Sequence, residues 1–191
     1  VFTISGTTSE VGVFNYTITT SGGCGTASLT GRITVNPLPT PVLTDGFICV
    51  DENGIPKPGS TFTLDTKLNA TDYDFVWTGP SGIIAGQTGN TLVATETGLY
   101  TVDVTQKYSL CKASATATVA PAFPPLQIGT TVSNYFADQQ MIAVSVVPPG
   151  VYEFQLDNGA FQDANQFVGF TSGYHTITVR DKFSCGILST Q

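Results

Sequence analysis

Few residues of this chain can form covalent or strongly directional bonds. They are Cys24, Cys49, Cys111 and Cys185, the single histidine His175, and fourteen Asp and Glu in 191 residues. No two cysteines form a Cys-x-x-Cys pair, the spacing with which zinc is usually gripped. The thiols are therefore read as disulfide chemistry, which implies an oxidising, extracytoplasmic compartment. His175 could act as a base only if a nucleophile and an orienting carboxylate were brought to it. The acids gather at Asp51-Glu52-Asn53, Asp72 and Asp74, Asp157-Asn158, and Asp163. Calcium takes about six to eight oxygen ligands, and none of these groups makes a complete Asp-x-Asp-x-Asp-Gly loop. They are read as turn acids that bond backbone N–H groups. Tyr108, Phe183 and Tyr135-Phe136 stand at expected turns and could stack on a sugar. Packing against a neighbouring part of the chain is the plainer expectation for them. No catalytic residue, cofactor or metal site is expected.

The elements that position these residues repeat. Gly98-Leu99-Tyr100-Thr101-Val102-Asp103-Val104 leads to Cys111, Gly12-Val13-Phe14-Asn15-Tyr16-Thr17-Ile18 to Cys24, and Gly173-Tyr174-His175-Thr176-Ile177-Thr178-Val179 to Cys185. The glycine-to-cysteine offsets are 12, 13 and 12 residues, and the copies lie 86 and 75 residues apart. Each is a turn glycine, a strand, a hairpin, and a cysteine opening the next strand. Positions +2, +4 and +6 from the glycine form one apolar face with the period of two that marks a strand. His175 takes the +2 place that Phe14 and Tyr100 fill, which makes it a packed structural histidine. Tyr73-Asp74-Phe75-Val76-Trp77 matches Tyr152-Glu153-Phe154-Gln155-Leu156, and Asn90–Val104 aligns without gaps to Asn165–Val179. No such segment precedes Gly12, so the first unit is expected to be the back half of a domain. Trp77, in phase with Tyr73 and Phe75, is expected in the core.

Composition agrees. Charged residues are 11% of the chain, against about a quarter in ordinary domains. β-Branched and aromatic residues punctuated by Gly, Pro and Asn indicate an all-β chain. The net charge of −7, with seven Lys and Arg in no cluster, argues against nucleic acid and anionic membranes. No apolar run approaches the roughly eighteen residues of a membrane span. The proline-rich stretches 37–41 and 121–125 read as semi-rigid spacers. The expected domains are 1–38, the C-terminal half of a unit; 39–120, a complete one; and 121–191, another. About seven short strands with a Trp on the third is the pattern of an immunoglobulin-like β-sandwich. Asp157-Asn158-Gly159 is expected to be a hairpin turn, as Asn-Gly tolerates positive φ.

Longer stretches carry a resemblance. Residues 12–37 (GVFNYTITTSGGCGTASLTGRITVNP) closely resemble the end of PKD-like and Ig-like repeats in very large surface proteins of Bacteroidetes-type bacteria. Residues 40–120, with ICVDENG, FTLDT, YDFVW and TGLYTV, resemble the Ig-like unit that often follows. Residues 126–189, with YEFQLDNGAFQDANQF and GYHTITVRDKFSCG, resemble the repeat that precedes a type B sorting domain of the type IX secretion system. The tip usually written Asp-Lys-Asn-Gly-Cys is Asp181-Lys182-Phe183-Ser184-Cys185 here. The resemblance implies a non-catalytic stalk in a gliding-motility-associated, SprB-like adhesin at the bacterial cell surface. Its partners would be neighbouring repeats, secretion or outer-membrane anchoring components, and a surface glycan or protein ligand. The rival expectation is an accessory or carbohydrate-binding module of a secreted multidomain enzyme.

The repeats also bear on the thiols. Cys24, Cys111 and Cys185 hold one equivalent position and are not expected to pair with each other, because spacers separate the units and a bridge needs Cα atoms within about 7 Å. Only the middle unit has a second cysteine, so the expected bridge is Cys49–Cys111. Cys24 would then pair within the missing front half, and Cys185 would be a buried thiol or pair beyond Gln191. The alternative is that all four are reduced and buried.

Overall fold

The computed structural model describes residues 3, 5–23, 25–133 and 140–191, so Cys24 and the Tyr135-Phe136 pair lie outside the described residues. Strands β1 (Gly12–Gly22) and β2 (Gly25–Val35) form an antiparallel hairpin, with Gly12 opposite Val35 and Gly22 opposite Gly25. Alternation puts Phe14, Tyr16 and Ile18 on one face with their partners Ile33, Gly31 and Leu29. The Tyr16 ring lies over Gly31. This face is open: Phe14 is 40% exposed and Leu29 66%.

The next body contains β3 (Gly46–Cys49), β4 (Phe62–Asp65), β5 (Tyr73–Gly79), β6 (Gly82–Ile83), β7 (Thr91–Ala94), β8 (Gly98–Gln106) and β9 (Lys112–Ala122). One sheet runs β3-β9-β8-β5-β6 and the other is β4-β7. The period-two faces meet between them: Phe75, Trp77, Tyr100, Val102 and Val104 pack with Leu64 and Leu92, all buried. β3 lies parallel to β9, with Gly46 opposite Val119 and Cys49 opposite Ala122. Tyr100 Oη donates to the Glu96 carbonyl at 2.9 Å. A tyrosine at this strand entry bonding back to the chain is a mark of the immunoglobulin fold. β9 is longer than the proline pattern suggests, because Pro121 falls beyond the end of β8, where no neighbour needs its missing N–H.

The third body contains β10 (Gln127–Val132), β11 (Met141–Val147), β12 (Tyr152–Leu156), β13 (Gln166–Val168), β14 (Ile177–Asp181) and β15 (Ile187–Thr190). Its sheets are β10-β11-β13 and β12-β14-β15. They enclose a second core that includes Val144, Tyr152, Phe154, Phe167 and Val179. Between β12 and β14, β13 covers only Gln166–Val168. Upstream, Gln162 bridges Phe154, and its side-chain amide bonds the carbonyls of Ala164 and Gln166, which bends the chain. The chain is thus all-β among the described residues, with two immunoglobulin-like sandwiches preceded by a two-stranded hairpin.

The repeat has a physical basis. Gly12, Gly98 and Gly173 have φ of 157°, 141° and 147°, a region that side chains avoid. A Cβ on Gly98 would also lie 2.6 Å from Pro80 Cγ. Asn90 and Asn165 each hold the second strand of their own sandwich. The Asn90 carbonyl accepts from Thr66 N and the Asn165 carbonyl from Val144 N, while their amides donate to Leu68 and Val144 carbonyls.

Leu110 and Ser184, each just before a repeat cysteine, adopt φ of 58° and 63°. Leu110 is 70% exposed, so its side chain contributes little packing there. The left-handed region costs a non-glycine residue about 1–2 kcal/mol. Leu110→Gly is expected to stabilise the first sandwich by about 1 kcal/mol after glycine's entropy cost. That corresponds to a rise of about 4–8 °C for a domain of this size. Calorimetry giving an unchanged or lower melting temperature would contradict this.

Candidate functional site

The bonds between the two sandwiches form at the end of β3. There Cys49 N donates to Ser60 Oγ at 2.8 Å and the Cys49 carbonyl accepts from Lys57 N, which fixes the cysteine. On the other side, the β14–β15 turn is built on the buried Asp181. Its Oδ1 accepts from Phe183 N at 2.8 Å and Cys185 N at 3.2 Å, so the turn presents Phe183 and Cys185 outward from the second sandwich. Burial and the neighbouring Asp181 charge hold the Tyr152 hydroxyl above its ordinary pKa, and it donates to the Pro148 carbonyl.

These two surfaces are covalently joined. Cys49 and Cys185 form a disulfide with Cα atoms 5.2 Å apart across 136 residues of sequence. The Phe47 and Phe183 rings stack beside it with centroids 3.7 Å apart. Lys57 Nζ donates to the Cys185 carbonyl at 3.1 Å, and Gly186 lies against Pro124.

The expected Cys49–Cys111 bridge is therefore corrected, and so is the expectation of Cys185 as a free thiol. Cys49 is opposite Ala122 at one end of β9, while Cys111 precedes Lys112 at the other. Eleven strand residues span about 35 Å, several times the reach of a disulfide. Cys111 is free and half-buried. The spacers do not keep cysteines of different units apart, because the turn carrying Cys185 folds back over residues 124–125.

The other candidates disperse. Phe183 packs against the neighbouring sandwich, whereas Tyr108 is 87% exposed at the equivalent hairpin of the first, so the two form no common platform. Trp77 is fully buried, with Nε1 donating to the Gly89 carbonyl at 2.9 Å. Asp51 Oδ1 accepts from Asn53 N and Ile55 N. Asp72 accepts from Thr71 Oγ1, while Asp74 and Asp163 face Lys107 and Lys182. Among the described residues, no three of His, Cys, Asp and Glu converge as a metal site would need.

His175 precedes β14 rather than lying in it. Its Nδ1 is 2.8 Å from Asp157 Oδ2 and its Nε2 is 2.7 Å from the Thr171 carbonyl, with the Phe170 ring edge-on. Both partners are acceptors, so only the doubly protonated ring satisfies both. The Asp157 bond, then the Thr171 bond, raise the His175 pKa, and the His175 bond chiefly lowers that of Asp157. With both nitrogens occupied, the ring is not available as a base.

The sign of the pH effect follows from these shifts. A raised histidine contributes stability below its unfolded value of about 6.5 and loses it as pH rises through the folded value. A lowered aspartate contributes above about 3.9 and loses it as pH falls through the folded value. The full effect lies between about pH 4 and 6.5. The melting-temperature gap between wild type and His175→Gln is expected to shrink from pH 5.5 to 8.5. A gap that stays constant with pH would remove the ionic account.

Beside His175, an open cleft of about 770 Å³ is lined by Thr130, Gln140, Phe170, Tyr174 and Gln191 among others. Tyr174 on its rim is 98% exposed.

The parallel β3–β9 pair, the two-sheet order and the tyrosine corner define the class: tandem immunoglobulin-like β-sandwiches, here cross-linked at their junction. No family model and no curated protein matches the chain. Among solved structures, it is similar to the N-terminal eight Ig domains of Down Syndrome Cell Adhesion Molecule, isoform 1.30.30. That match has 13% identity and a TM-score of 0.40, and covers 92% of this chain and 30% of that one. It is also similar to the titin domains z1z2 in complex with telethonin, at 16% identity and a TM-score of 0.30, covering 79% of this chain and 90% of that one.

The junction coincides with a sequence feature that strand periodicity does not read. Phe47-Ile48-Cys49 and Phe183-Ser184-Cys185 are two Phe-x-Cys steps, and the repeat position of Cys111 lacks one.

Proposed function

We propose that this chain is a non-catalytic repeat region of a secreted bacterial cell-surface adhesin or filament. It acts as a stalk that presents a binding region, with domains at 1–38, 39–120 and 121–191. The observation that carries the reading is the junction. Two domains on a bare linker move independently by default, whereas these are held by a disulfide, a ring stack and a lysine bond. A spacer needs that fixed orientation. The disulfide and fold are compatible with an extracellular domain; the bacterial surface and the type IX route are part of the proposal. So are the partners: neighbouring repeats, anchoring components, and a glycan or protein at the presented end. The hairpin supports the repeat reading, since Phe14, Tyr16 and Ile18 leave open the face that Tyr100, Val102 and Val104 bury in the next unit.

Small-angle scattering of the full chain should give a radius of gyration well above the roughly 16 Å of a compact chain of this length. A value near 16 Å would overturn the stalk. The second reading, an accessory or carbohydrate-binding module of a secreted enzyme, draws on the cleft and the exposed Tyr174. Glycan-array binding that Tyr174→Ala abolishes would favour it.

A further inference from the structure

We infer that the Cys49–Cys185 bond is a load shunt: tension entering from the residues before Val42 and leaving at Gln191 passes through the disulfide and bypasses the second core and all of the first but Ile48. The route follows from the connectivity. The incoming chain is fastened by Val42 N to the Thr66 carbonyl and by Asp45 Oδ1 to Thr118 N. It then runs as β3 along the edge of the first sandwich to Cys49. From Cys185 the chain continues as β15 along β14 to the end of the second sandwich. The line of force is thus two edge strands joined by one covalent bond.

Everything between Cys49 and Cys185 is a closed covalent loop. Of the first core's buried residues, Ile48 alone stands outside it; Leu64, Trp77, Val102 and Val119 are inside. The buried residues of the second core, from Ile142 to Val179, are inside as well. Tension can strip β3 and β15 from their neighbours, but it cannot lengthen the chain from 49 to 185 while the bond holds. The 136-residue separation corresponds to about 450–490 Å of extended chain. This property would hold even if the stalk assignment were wrong, and its test is independent of the scattering measurement.

The test is single-molecule extension of the full 191-residue chain, gripped by terminal peptide tags rather than thiols. The force is raised until the chain treated with dithiothreitol is fully extended. That reagent reduces the bond to two thiols as it becomes a cyclic disulfide itself. The untreated chain should stop about 450 Å short of the treated one. Cys49→Ser with Cys185→Ser should extend fully without reductant. Equal lengths before and after reduction would overturn the inference. So would a double variant that remains short, because the two remaining thiols, Cys24 and Cys111, would then hold the cross-link together. Both outcomes are read from total length, so they stand even if the variant folds poorly.

Discussion

Replacing Cys49 and Cys185 together with serine is expected to destabilise the second sandwich by about 4 kcal/mol. With the first sandwich folded, Cys49 sits opposite Ala122. The bond therefore ties Cys185 back to the start of its own unit and closes roughly sixty residues of unfolded chain, the loop that sets the figure in the chain-entropy model. Small domains have a net stability of only about 5–15 kcal/mol, so a substantial share of the margin is removed. The second melting transition should fall by about 15–30 °C. The first sandwich should move less, because Trp77 and its neighbours do not depend on the bond. Losing the disulfide also frees Phe183 from Phe47, so aromatic near-ultraviolet dichroism should change with it. Calorimetry showing coincident transitions in wild type and variant would refute the assignment of the bond.

Trp77→Ala should be the most damaging single substitution in the first sandwich. The side chain is fully buried and its Nε1 bonds the Gly89 carbonyl. Removing a buried Trp costs about 3–5 kcal/mol through lost transfer energy and a residual cavity. A carbonyl left without a partner adds to that. Trp77→Phe keeps most of the apolar volume and loses the bond, which should cost about 1–2 kcal/mol. Chemical denaturation of the two variants gives both figures. An alanine variant no less stable than the phenylalanine one would show that the indole is not the centre of this core.

Trp77 was legible because its evidence is local: three apolar residues in phase on one strand. So were the strand repeats and the turn glycines. The disulfide was not, because it depends on a non-local event. Whether Cys49 meets Cys111 or Cys185 is decided by β3 pairing with the Val119–Ala122 end of β9 rather than with the end next to Cys111. The periodicity of a four-residue strand does not fix that register. The extent of β14 was hidden for a similar reason. Asp157, eighteen residues upstream of His175, takes the ring with one oxygen and Thr176 N with the other. Alternation in 173–176 gives no hint of that capture. The fate of Phe183 was open until its stacking partner Phe47 was in place, since an aromatic on a turn is equally compatible with a sugar or a neighbouring ring.

The 136-residue separation of the two bonded cysteines also imposes an order of events during biogenesis. At about 5–20 residues per second, Cys185 is synthesised roughly 7–27 s after Cys49. Cys111 follows Cys49 by 62 residues, so for a little over half of that interval it is present and could compete. Closure of the first sandwich sets Cys49 and Cys111 at opposite ends of β9, so the wrong pairing requires that domain to reopen. Folding of the first sandwich thus acts as a proofreading step, keeping Cys49 available for a partner made much later.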